Sequence, residues 1–180
     1  MVVGGGIIGA SIAYELSKRS LNILVLERNL LASCATYASA GMLAPASDSL
    51  CAKPVVDLGF ESFAMWPNFV REVESASGFS MDYRRQGILR VAATQDEESQ
   101  LKRQSAWASE YGLNLRWLNP KEAIDLEPEL SPKIHGATFS ETEHNVTPTR
   151  VVEALKRAAG ENGTEFRENT PVSSLSKRNG

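Results

Sequence analysis

Within the first 27 residues one pattern decides more about the fold than anything after it. A short stub, Met1-Val2-Val3, runs into Gly4-x-Gly6-x-x-Gly9, and the apolar run Ile23-Leu24-Val25-Leu26 ends on Glu27. Gly4 permits the tight turn out of a strand, Gly6 lets backbone approach a pyrophosphate, and Gly9 lets a helix pack closely on the strand before it. The helix N-terminus adds unpaired N–H groups and the positive end of a dipole. Glu27 follows Gly9 by 18 residues, where a carboxylate accepts hydrogen bonds from an adenosine ribose. Ile8, Ile12 and Leu16 at i, i+4 and i+8 predict an amphipathic helix between the strands. The second strand is apolar throughout, as a parallel strand covered on both faces must be. Residues 1–27 therefore read as one right-handed βαβ unit. It predicts dinucleotide binding, against the alternative of a plain glycine turn, and the acid at Glu27 disfavours the 2′-phosphate of NADP.

Downstream, residues 29–50 are rich in Ala, Ser and Gly, a composition that suits backbone lying close to a ligand. Phe63, Trp66, Val70 and Val73 recur at three and four residues and predict a core-packed helix within 55–78, kinked or restarted at Pro67; Phe69 joins the expected core. From Phe79 the texture changes. Residues 83–92 predict antiparallel strands, and Thr94-Gln95-Asp96-Glu97 is a capping box opening a helix to about Tyr111, with Gly112 as its stop. Leu115–Leu118 is a short strand, Asn119-Pro120 starts a short helix, and 134–139 is another strand. Thr147-Pro148 repeats the helix start, with Val151, Val152, Leu155, Ala158 and Ala159 at helical spacing up to Gly163. Residues 165–167 and 172–175 then read as strands returning to a parallel sheet. The expected domains are 1–78 and 146–180 as two parts of an α/β domain, with an α+β block at 79–145 between them.

Composition removes several functions. Over 180 residues the formal charge is −3, with 19 basic against 22 acidic side chains and no basic run longer than two, so no nucleic-acid partner is expected. No stretch reaches the ~20 apolar residues of a membrane helix, and Met1-Val2-Val3 follows no basic leader, so a cytoplasmic location is expected and no membrane partner. Cys34 and Cys51 lack partners at ligand spacing and are expected as free thiols. Glu141-Thr142-Glu143-His144 has no second nitrogen ligand at helical spacing, so it is expected as a solvated loop and no metal site. His135 is expected to be structural, since no nucleophile motif accompanies it. Arg84-Arg85 is expected as a solvated strand face rather than a site for an acidic substrate.

The run Val3-Gly4-Gly5-Gly6-Ile7-Ile8-Gly9, the pair Glu27-Arg28, the loop Ser39-Ala40-Gly41-Met42-Leu43-Ala44-Pro45, and Gly136-Ala137 followed by His144-Asn145-Val146-Thr147-Pro148 resemble the FAD-dependent D-amino acid oxidase superfamily. Within it, the Ala-Gly-Met-Leu loop looks most like the glycine oxidases of thiamine biosynthesis. The resemblance covers the whole chain but only about the first half of such an enzyme, which implies a fragment. It implies a glutathione-reductase-like FAD-binding domain interrupted by a substrate-domain insertion. Gly4, Gly6, Ile7, Ile8 and Gly9 would wrap the pyrophosphate of FAD, and Glu27 with Arg28 would hold the adenosine. Ala35 and Thr36 would lie along the phosphates and ribityl chain, Ala40, Gly41, Met42 and Leu43 would present backbone to the flavin ring, and Val172 would meet adenine through its main chain. Ala35 departs from the Ser or Thr more frequent there, and Tyr37 is bulkier than the small residue expected. The implied activity is oxidation of glycine or a small amine to the imine, with oxygen becoming hydrogen peroxide, in a homo-oligomer at full length. A D-amino acid dehydrogenase, a sarcosine oxidase-like enzyme and a non-catalytic nucleotide-binding module are the alternatives. Catalytic residues, including an Arg gripping the amino acid carboxylate, would lie beyond residue 180, and the isolated chain is expected to be inactive.

Overall fold

A computed structural model describes residues 1–19, 21–48 and 53–176. Cys51 lies outside the described residues; Cys34 is a free, exposed thiol. In chain order the elements are β1 (Val2–Val3), α1 (Ile7–Ser17), β2 (Leu24–Leu26), α2 (Ala35–Ala38), β3 (Met42–Leu43), a 3₁₀ turn (Pro45–Asp48), α3 (Lys53–Ser77), β4 (Ile88–Ala92), α4 (Gln95–Glu110), β5 (Leu115–Leu118), α5 (Pro120–Leu126), β6 (Gly136–Ser140), β7 (His144–Asn145), α6 (Pro148–Glu161) and β8 (Glu165–Arg167). They divide into two compact units, one of Met1–Gly41, Pro67–Tyr83 and Val146 onward, the other of Met42–Trp66 and Arg84–Asn145. Among the described residues no helix is long and apolar enough to cross a membrane.

The first unit is built on a parallel sheet of order β1-β2-β8, with Val25 between Val2 and Phe166. Val25, Ile23 and Ala13 form its core with Val2, Leu16 and Phe166 around them. Helix α1 reaches that core by a different face from the one its periodicity suggests. Ala10, Ala13, Tyr14 and Ser17 are buried, whereas Ile8 and Ile12 stand 74% and 46% exposed. The helix is apolar nearly all round, so hydrophobicity does not select a face; the buried side carries the small residues Ala10, Ala13 and Ser17, which allow close packing, together with Tyr14, whose hydroxyl finds a partner. Against α1 lies α6, whose buried side is Val151, Val152, Leu155, Ala158 and Ala159. Tyr14 ties α1 to the later part of α3 by donating to Glu72 Oε1 at 2.7 Å, and Lys18 Nζ sits 2.5 Å from the same oxygen. Burial first, then that carboxylate, push the Tyr14 hydroxyl up to about 12.

Three local expectations change in this unit. Helix α3 is continuous through Pro67, so no second helix starts there; the missing N–H leaves the Phe63 carbonyl without its helical donor, and the border between the units falls at Trp66/Pro67. Residues 172–175 form no strand: Pro171 lacks a donor, and Asn169 N and Thr170 N instead donate to Asn29 O and Glu27 O beyond the end of β2. Thr147 precedes α6 without capping it, since its hydroxyl donates to Asp82 Oδ2 at 2.7 Å. Residues 79–83 stay with the first unit because α6 holds them: Arg150 Nε donates to Ser80 O at 2.8 Å, and the guanidinium groups of Arg150 and Arg157 lie over the Phe79 ring at 4.5 and 4.3 Å.

The second unit is an antiparallel sheet of order β4-β6-β5. On one face Leu118, Ala137, Leu89, Val91 and Phe139 cluster with Ala123 of α5 and Ile134. On the other, Leu115 packs with Ala108 of α4, Leu113 and Ala46 of the 3₁₀ turn, flanked by Phe60 and Trp107. The capping box opens α4 as expected, Glu97 N reaching Thr94 Oγ1 at 3.3 Å and Thr94 N reaching Glu97 Oε2 at 3.0 Å. An equivalent box of Asn119 and Glu122 opens α5. Phe63, Trp66 and Phe69 are half-buried rather than core residues.

Candidate functional site

At the end of β1 the chain leaves the sheet through the three glycines. Gly4, at φ +104°, still donates to Leu26 O at 2.8 Å, and Gly6 is the N-cap of α1. Gly9 meets the turn on its far side: a Cβ there would stand 2.0 Å from Gly4 O. The first N–H groups of α1 have no acceptor within the helix. Ile7 N finds one in Thr36 Oγ1 at 3.1 Å, which leaves Ile8 and Gly9 to point outward and leaves the Thr36 hydroxyl hydrogen to be donated. A Cβ on Gly6 would stand 3.2 Å from that same oxygen, in the space before the helix end. The turn is thus a cradle that side chains would fill, with donors and a positive dipole end facing in, and it fits a diphosphate.

Glu27 closes the turn from the tip of β2. Its Oε2 accepts from Gly5 N at 2.7 Å and its Oε1 from Asn29 N at 2.9 Å. The Gly5 N–H, then that of Asn29, hold the carboxyl below its ordinary value of 4.5. One lone pair remains on each oxygen, enough for one ribose hydroxyl apiece. The contribution of Gly5 and Asn29 is not visible in the Gly4-x-Gly6-x-x-Gly9 pattern; a third consecutive glycine was the available signal. A Cβ on Gly5 would stand 2.1 Å from Leu31 Cδ2 and 3.0 Å from Glu27 Cβ.

A depressed folded-state pKa means that Glu27 contributes stability in full above the ordinary carboxylate range, and that this fades as pH falls through the folded value. Glu27→Gln turns an NH₂ group toward one of the two backbone donors. We expect it to destabilise the protein near neutral pH and to differ progressively less from wild type in acid, as urea unfolding between neutral pH and about pH 3 would record. A difference that stays constant across that range would show that the two N–H bonds do not set the carboxyl's protonation.

The expected site residues of the first unit gather around this turn. Gly4, Gly6, Ile7, Ile8, Gly9, Ala35 and Thr36 line a cavity of about 340 Å³. Gly4 also lines another of about 330 Å³ together with Glu27, Arg28, Cys34 and Val172. Ala40 and Gly41 line neither; Gly41, at φ +73°, accepts from Val146 N at 2.9 Å. Met42 and Leu43 belong to the second unit, where they line a cavity of about 280 Å³ with Ala44, Pro45, Phe63 and Trp66.

In the second unit the segment Glu141-Thr142-Glu143-His144 is not the solvated loop its polarity suggests. Glu143 is fully buried and His144 nearly so. His144 pairs with Leu43 in the β3-β7 ladder, its ring lies 5.1 Å from Phe63, and its Nε2 accepts from Arg85 Nε at 3.2 Å. Burial, then the Arg85 charge, lower its pKa, and because Nε2 accepts from Arg85, the proton of the neutral ring is the one on Nδ1. Arg85 is therefore engaged by the protein at the end where a free solvated side chain was expected. His135 stands exposed beside α4, Nδ1 3.5 Å from Glu98 Oε2.

The profile of the family described as FAD dependent oxidoreductase matches residues 1–180. Glycine oxidase of Geobacillus kaustophilus (strain HTA426) is 31% identical over 172 residues, which are 95% of this chain and 46% of that protein. Its crystal structure covers 93% of this chain, and 45% of its own, with a TM-score of 0.85. L-alpha-glycerophosphate oxidase of Mycoplasma pneumoniae, dithionite reduced and with FAD bound, gives a TM-score of 0.80 at 26% identity over 98% of this chain and 46% of that one. The chain spans about half the length of the glycine oxidases it matches. Since the family profile accounts for it from first residue to last, and these folds follow it over nearly its whole length, the chain belongs to the FAD-dependent oxidoreductases.

Proposed function

We propose that the chain is the N-terminal part of a flavoenzyme that oxidises glycine or another small amine to its imine, with oxygen reduced to hydrogen peroxide, in the service of thiamine biosynthesis. The observation that carries the reading is the cradle at the start of α1, closed by the Glu27 carboxylate. The similarity to glycine oxidases supports the choice of substrate. FAD, when bound, would supply the chemistry: a hydride, which carries two electrons, would leave the α-carbon as the amine nitrogen gives up a proton, and those two electrons with two protons would reduce oxygen to hydrogen peroxide.

The chain's own share is binding and orientation. Ile8 and Gly9 donate N–H groups to the pyrophosphate beside Gly4 and Gly6, while Thr36, holding Ile7 N, donates its hydroxyl along the same phosphates past Ala35. Glu27, already fixed by Gly5 and Asn29, takes the ribose, Arg28 lies beside the adenosine, and Val172 meets adenine through its main chain. Ala40, Gly41, Met42 and Leu43 offer backbone to the flavin ring, where small side chains permit close approach. The unit of β1, β2 and β8 is the FAD-binding part and the unit of β4, β5 and β6 belongs to the substrate domain.

The full-length protein purified from cells is expected to be yellow. Mixed without oxygen with glycine, sarcosine or D-alanine, it is expected to lose its visible flavin absorbance, and to regain it with release of peroxide when air is admitted. A colourless protein would overturn the cofactor assignment; a yellow one that none of the three amines bleaches would overturn the substrate class.

A further inference from the structure

We propose that the buried Arg90–Glu143 ion pair is a positioning device for the Met42–Ala46 backbone; this rests on the reading above, that Met42 and Leu43 present their backbone to the flavin ring. Glu143 is wholly inaccessible to solvent. Its Oε1 accepts from Arg90 Nη2 at 2.9 Å and from Ala46 N at 3.1 Å, and its Oε2 lies 2.7 Å from Arg90 Nη1. The carbonyl of Ala46 is taken as well, by Gln104 Nε2 of α4 at 2.6 Å. Ala46, itself fully buried, is thus gripped at both main-chain groups by side chains from two different elements.

Stability alone does not account for this pair. Taking a carboxylate and a guanidinium out of water is so costly that apolar residues of the same volume are often as stabilising or more so, and the surroundings here are apolar: Ala108 and Leu115 lie beside Ala46. What the pair provides is a fixed location for one backbone N–H. That location matters because of what precedes Ala46. β3 is only two residues long, paired with β7 at Met42↔Asn145 and Leu43↔His144, and a ladder so short does not hold its own geometry. Glu143 directly precedes β7 and reaches across to Ala46, so the segment Met42–Ala46 is held at its start by the ladder and at Ala46 by the carboxylate. Met42 to Pro45 of that segment line the cavity of about 280 Å³ with Phe63 and Trp66. Catalysis between held groups is sensitive to displacements of an ångström, and a buried ion pair with a charge-assisted hydrogen bond is a stiff side-chain link for preventing one.

The test uses the flavin-loaded full-length protein. Glu143→Gln keeps the size and one acceptor but leaves Arg90 without its counter-charge; Arg90→Lys keeps the charge and loses the fork; Gln104→Leu releases the other side of Ala46 and leaves the ion pair whole. We expect Glu143→Gln to shift the visible flavin spectrum and to lower kcat for glycine by about ten- to a hundredfold, with KM and FAD affinity changed less than about threefold. Arg90→Lys, which keeps the charge, should show a smaller loss than Glu143→Gln, and Gln104→Leu should reproduce the spectral shift in a smaller degree even where Glu143→Gln fails to fold. Folded variants with wild-type spectrum and wild-type kcat would overturn the proposal. So would losses of kcat that merely track a lower Tm with the spectrum unmoved. A wild-type protein that carries no flavin would instead overturn the underlying reading, and the positioning role with it.

Discussion

Gly9→Ala is expected to cost about 3 kcal/mol or more of stability and to abolish retention of FAD. The added methyl would stand 2.0 Å from Gly4 O and 3.1 Å from Gly4 C, where Cβ atoms do not come within 3.0 Å of another heavy atom. The obstacle is backbone rather than the end of a flexible side chain, so relief requires α1 to move off β1. That movement is resisted by α6, which packs against α1. A helix-propensity gain of at most ~1 kcal/mol works in the other direction and is too small to decide the sign. Gly160→Ala isolates that gain, since a Cβ on Gly160 of α6 meets nothing within 4 Å; it is expected to stabilise slightly. Urea midpoints of both variants and a fluorescence titration with FAD measure the contrast. If Gly9→Ala matches wild type in both, the close approach of α1 to the turn is not needed by fold or cofactor.

Where a local pattern has one physical solution, it can be read directly. Thr94 and Glu97 satisfy each other's backbone N–H, so the start of α4 is fixed within four residues. The glycine turn is readable for the same reason: its residues are contiguous, and Glu27 closes the same βαβ unit. Faces are harder. In α1 nearly every residue from Ile7 to Ala13 is apolar or small, so the Ile8-Ile12 stripe has no polar side to contrast with, and the choice falls to side-chain size. Strands are harder still when their existence depends on a partner. Val172 carries the β-branched signature, but a strand needs a neighbour, and the donors of Asn169 and Thr170 are already committed to the chain beyond β2.

The charged cluster of the second unit shows the limit most clearly. In sequence, Glu141-Thr142-Glu143-His144 is a polar run of the kind that ordinarily coats a turn. Its burial is decided by Arg90, 53 positions earlier, and by Ala46, 97 positions earlier, and no window of local sequence contains either. One signal for half of the pair does exist. β4 alternates, so Arg90 shares a face with Ile88 and Ala92, both buried, and a cation on the inward side of a strand must find an anion. Glu27 is the opposite case: its position is legible, yet Gly5 and Asn29, which fix its protonation, come from the conformation of the turn.

Gly41→Ala is the second substitution expected to be severe, because two penalties add. At φ +73° an L-residue loses about 1 to 2 kcal/mol relative to glycine. The new Cβ would also stand 2.0 Å from Val146 O and 2.9 Å from Pro148 Cδ. Retreat is costly, since it would stretch the bond from Val146 N to Gly41 O, now 2.9 Å, which is worth about 1 kcal/mol. Gly112, at φ +78° with nothing within 4 Å of an added Cβ, carries the first penalty alone. Gly112→Ala is therefore expected to cost about 1 to 2 kcal/mol, and Gly41→Ala about 3 kcal/mol or more. Their urea midpoints, compared at equal m, separate the two causes. Equal losses at the two positions would mean that Gly41 is required only for its backbone angle, and that Val146 and Pro148 yield to the methyl group.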